Sequence, residues 1–66
     1  MREKWTGDLI GRMHNADVTF DELGAELGWG KSYISMILNG TRNPNGAQEK
    51  MEAAFEAIVE RKRKEE

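Results

Sequence analysis

The chain predicts an all-α fold, a compact four-helix domain with a long C-terminal helix. Alternating apolar and polar runs are missing and there is one proline, so strands have no support. Apolar side chains recur instead at helical spacing. The stretches between them carry the chemistry that stops and starts helices: Thr19 with Glu22, Gly28, Gly30, and Asn39 with Gly40.

The first helix is expected to take Thr6 as its N-cap, with Asp8 near the positive helix end. It should bury Leu9, Ile10 and Met13, with Trp5 packing nearby, and end near Asn15 or Ala16. Gly7 and Gly11 each weaken it by roughly 1 kcal/mol relative to alanine, so tertiary packing or a close backbone approach must compensate.

The second helix starts at a capping-box pattern, Thr19 followed by Glu22, with Val18 placed to staple against Leu23. It should run to about Leu27 and stop at Gly28. Gly24 removes a side chain where two helix backbones would otherwise collide. Trp29 fills the turn, Gly30 caps the third helix, and Lys31 to Leu38 continue until Asn39 and Gly40 end it. After the connector TRNPN, Asn45 with Gln48 resembles another capping box. From Gly46 to about Lys62 the set Ala47, Met51, Ala54, Phe55, Ile58 and Val59 shares one helical face, with glutamates 52, 56 and 60 on the other side.

Sixty-six residues make a single domain, 1–66, with the central helix pair at 19–40. A chain this short buries only about 60% of the surface it exposes when unfolded, so helix packing or self-association must supply stability. With no cysteine and only His14, neither a disulfide framework nor a Cys/His zinc site is available, and no cofactor is expected. Ser32 and Ser35 have no base beside them, so no enzyme activity is implied. No apolar run approaches the ~20 residues of a membrane span, and residues 1–13 lack the apolar core of a secretory signal, which makes the cytoplasm the expected location.

The net charge of -2 is unlike that of most phosphate binders, but its distribution is uneven. From Leu27 to Gln48 there is no acidic residue, while Lys31 and Arg42 lie there. Asp21, Glu22 and Glu26 sit on the helix before it. The RKRK run at 61–64 reads as a solvated last turn whose cations offset the helix dipole.

The third helix meets the two demands on a DNA-reading helix. Ile34, Ile37 and Leu38 supply an inward face, leaving Lys31, Ser32, Tyr33, Ser35 and Met36 as the outward set. Serines let a helix axis approach base edges, lysine reaches guanine or phosphate, tyrosine donates to phosphate, and methionine offers apolar contact to a thymine methyl. Beyond it Thr41, Arg42, Asn43 and Asn45 form an acid-free polar loop suited to phosphate, with asparagine side chains and free backbone N–H groups as donors.

Leu23, Gly24, Gly28, Ile34 and Ile37, followed by the phrase YISMILNGTRNP, resemble the lambda-repressor-like, or Xre-type, helix-turn-helix family over about Leu9 to Val59. The layout is similar to that of small prophage regulators of this family. The resemblance implies a sequence-specific protein for double-stranded DNA, reading an inverted-repeat site as a homodimer through the exposed part of helix four near Val59. Two positions depart from the family's pattern: Phe20 stands where glutamine is common, and Met36 where a basic or polar residue is common. With the acidic overall charge, they are the features that an alternative would use, an antirepressor-like module that binds another regulator through the same fold.

Overall fold

A computed structural model describes residues 4–65; residues 1–3 and 66, the ends of the expected 1–66 domain, lie outside the described residues. Four helices follow one another: α1 (Lys4–Asn15), α2 (Phe20–Leu27), α3 (Lys31–Leu38) and α4 (Ala47–Glu65). There is no strand among the described residues. The radius of gyration is 11.3 Å, close to the value of about 11 Å for a folded chain of this length. α2 packs on α3 and α4, and α1 packs on α3 and α4.

Every helix contributes to one core: Leu9 and Met13 from α1, Leu23 from α2, Ile34, Ile37 and Leu38 from α3, and Ala47, Met51, Ala54, Phe55 and Ile58 from α4, with Val18 from the first corner. These are the apolar positions that helical spacing places inward, with Ile10 and Val59 only partly buried at the margin.

α1 departs from its expected start. Thr6 is not a cap but an interior residue, 1% exposed, because the helix already begins at Lys4 and Thr6 shares a face with Leu9 and Met13. Asp8 therefore lies beyond the first turn, which holds no acid. Gly7 and Gly11 are exposed, and a Cβ at either would meet nothing within 4 Å, so no close backbone approach explains them. Their cost is offset by the buried face of the same helix.

α1, α2 and α3 end alike. Asp17 (φ 57°), Gly28 (φ 75°) and Gly40 (φ 84°) each turn the chain through the left-handed region. The amide of the residue after each of these then reaches back to a carbonyl of the helix's last turn: Val18 N to Met13 O at 2.9 Å, Trp29 N to Gly24 O at 2.8 Å, and Thr41 N to Met36 O at 2.9 Å. This is the Schellman closure, which satisfies carbonyls that a helix end would leave orphaned.

The start of α2 is the capping box the sequence predicts. The Glu22 amide donates to Thr19 Oγ1 at 3.1 Å, and the Thr19 amide donates to Glu22 Oε1 at 3.0 Å. The flanking Val18 and Leu23 are both buried. The predicted box at α4 does not form. Gly46, at φ 77°, separates Asn45 from the helix, which starts at Ala47, and Gln48 Nε2 donates forward to Glu52 Oε2 at 3.4 Å instead.

The basic run at the end of α4 is more than a solvated turn. Arg61 pairs with Glu26, and Lys62 Nζ lies 3.0 Å from Glu22 Oε2 and donates to Asp17 O at 2.7 Å. The ammonium of Lys62 thus touches the capping carboxylate of α2 and the main chain of the α1–α2 corner, tying the distal part of α4 to both.

Candidate nucleic-acid interface

The seating of α3 is set by the turn before it. A Cβ on Gly24 would fall 2.5 Å from the carbonyl oxygen of Trp29, while the nearest atom of α3, Ile34 Cγ1, would be 3.5 Å away. The close approach therefore runs between α2 and the turn, not between two helix backbones as the sequence predicts. Trp29 then meets Tyr33 edge to face, with ring centroids 5.2 Å apart at 83°.

With about 100° between successive residues, burial of Ile34, Ile37 and Leu38 leaves Ser32, Ser35 and Met36 on the opposite side of α3. Lys31 and Tyr33 flank that side. Lys31 and Ser32 are exposed, and Tyr33, Ser35 and Met36 are half-buried. Asn39 joins this face, since it keeps a helical backbone at φ -85°, ψ -4° and its Nδ2 donates to Ser35 Oγ at 3.2 Å. Its spacing of four from Ser35 is the signal in the sequence that marks it, beside its role as a stop.

Arg42, Asn43 and Asn45 are all exposed on the loop that follows. The loop is fixed to the end of α3, because the amides of Thr41 and Arg42 both donate to the Met36 carbonyl, at 2.9 and 3.2 Å. Those amides are thereby consumed, and Ala47 N is likewise bonded to Pro44 O at 3.2 Å. The expectation of free backbone donors fails for these groups, and the Arg42 guanidinium and the Asn43 and Asn45 side chains stand exposed as donors on the loop. Beside it lies a recess of about 320 Å³ whose lining includes Trp5, Asn43, Asn45, Gly46, Gln48 and Glu49.

The electrostatics differ from the linear charge pattern. Although no acid occurs between Leu27 and Gln48, Asp21 of α2 comes across to Lys31, with Oδ2 3.9 Å from Nζ. Arg42, in contrast, enters no ion pair among the described residues. Phe20, at the first position of α2, packs against the core and offers no polar group outward.

Among the described residues no helix is long and apolar enough to cross a membrane, and no group of His, Cys, Asp or Glu side chains is arranged to hold a metal ion. Comparison with protein families, curated proteins and solved structures finds no match. The class that fold and surface define is thus a small four-helix domain with a short, polar-faced third helix.

Proposed function

We propose that the chain is a sequence-specific double-stranded-DNA-binding protein of the lambda-repressor-like helix-turn-helix kind, a small phage or prophage transcriptional regulator acting in the cytoplasm. One observation carries the reading: α2 and α3, eight residues each, meet across a three-residue turn that seats α3 on the core by Ile34, Ile37 and Leu38 while short polar side chains line its other side. A helix of this form is of the kind a major groove admits. Lys31, Ser32, Ser35 and Met36 would face base edges, Tyr33 a flanking phosphate, and Arg42, Asn43 and Asn45 the backbone beyond.

A single copy presents few contacts, which favours a two-fold pair whose reading helices lie about 34 Å apart on an inverted repeat. The half-exposed Val59, between Arg63 and Glu56 on α4, is the surface for that pairing. Selection from random duplex DNA at low salt tests the reading. Enrichment of an inverted-repeat motif is expected, with Arg42→Ala weakening all duplexes alike and lowering the salt slope by about one. Failure of a folded protein to enrich any motif would overturn it in favour of an antirepressor-like interaction module, the reading that the inward packing of Phe20 and the Asp21–Lys31 pair favour.

A further inference from the structure

We propose that Asp21 is an internal competitor for nucleic acid, its carboxylate occupying Lys31 and so restraining charge-driven attachment of this face to DNA. The inference rests on the DNA-binding reading above. Lys31 is the only cation in α3, and its pair with Asp21 is the only ion pair among the described residues that involves α3 or the loop after it. The other pairs lie within α4 or join it to α1 and α2, and their role is structural.

Geometry makes the competition steady. Asp21 lies in the first turn of α2, inside the Thr19–Glu22 capping box, so its backbone position is fixed and its carboxylate stands beside Lys31. Both side chains are largely open to solvent, 72% exposed for Asp21 and 66% for Lys31, so neither is needed to fill the core. A phosphate approaching Lys31 must displace one carboxylate and tolerate its charge close by. The effect is moderate, because an exposed pair is weak and screened by salt.

Binding of random-sequence duplex by the parent, Asp21→Asn, Lys31→Ala and the double variant tests this, with a thermal melt of each confirming that it is folded. Asp21→Asn should bind about two- to fivefold more tightly at low salt, with a salt slope steeper by about one, since it frees one further cation for a phosphate. The gain should be clearly smaller in the Lys31→Ala background, where only the repulsion between Asp21 and phosphate is left to relieve. An unchanged affinity in Asp21→Asn, or a gain undiminished by loss of Lys31, would overturn the inference while leaving DNA binding by the parent intact. If neither the parent nor any variant binds duplex, the DNA-binding reading itself fails and the inference falls with it.

Discussion

Gly24→Ala separates a glycine required by packing from glycines that are merely tolerated. Alanine is the better helix former by about 1 kcal/mol, so propensity alone predicts stabilisation. The structure opposes it: the new Cβ would stand 2.5 Å from the Trp29 carbonyl oxygen, and the turn must retreat by most of an ångström to reach ordinary contact. That retreat is resisted because the Trp29 amide is bonded to the Gly24 carbonyl at 2.8 Å and Ile34 is wholly buried just beyond. Overpacking of a rigid site costs about 1–3 kcal/mol, and a backbone obstacle belongs at the upper end. Set against the propensity gain, the net loss is about 2 kcal/mol, or a fall in Tm of roughly 8–16 °C for a domain of this size. Gly7→Ala and Gly11→Ala are the controls, since both positions are open and each should gain about 0.5–1 kcal/mol. Thermal unfolding followed by circular dichroism reads all three. A Gly24→Ala protein whose Tm rises with the controls would refute the close approach, and with it the seating of α3.

Three further outcomes are expected. Ile37→Ala, at a site 1% exposed, should lose about 2–5 kcal/mol, and a chemical-denaturation curve that overlays the parent's would place Ile37 outside the core. Glu22 has its carboxyl held below the ordinary value of 4.5, first by the Thr19 amide and then by Lys62. Its contribution is therefore present above 4.5 and lost as pH falls through the lower folded value, so the Tm advantage of the parent over Glu22→Gln should shrink on acidification below 4.5; a gap constant down to about pH 3 would contradict this. Asp17→Gly should stabilise by about 0.5–1 kcal/mol, because a left-handed φ of 57° costs an L-residue and the Lys62 bond goes to the main chain, which survives the change. A lowered Tm would assign the Asp17 side chain a role of its own.

What the sequence discloses here is local. The Thr19–Glu22 box, the stops at Gly28 and Gly40 and the buried face of each helix depend on residues a turn or less apart, where spacing and side-chain chemistry suffice. Legibility fails where the backbone makes an unannounced choice. Asn45 and Gln48 have the spacing of a cap, but Gly46 takes a positive φ between them and moves the helix start to Ala47. Thr6 resembles a cap by residue type, yet Lys4 already lies in the helix and turns Thr6 inward. Legibility also fails across distance. Lys62 meets Glu22 and Asp17 over separations of 40 and 45 residues, and Asp21 meets Lys31 from the preceding helix, so a segment without acids becomes a surface with one. The outward set on α3 was readable from periodicity, but the use of the Thr41 and Arg42 amides by Met36 was not, since it follows from how the helix closes.

That closure bears on how this surface can change over generations. The ends of α1, α2 and α3 are shaped by main-chain hydrogen bonds and a residue in the left-handed region, while the outward side chains of α3 take no part in them. Ser32 and Met36 are thereby uncoupled from the geometry that presents them, whereas Ser35 Oγ accepts from the side chain of Asn39 at the helix end. A pool of chains randomised at Ser32 and Met36 should remain mostly folded, and selection could rewrite what the face recognises one side chain at a time without reopening the question of how the helix is held.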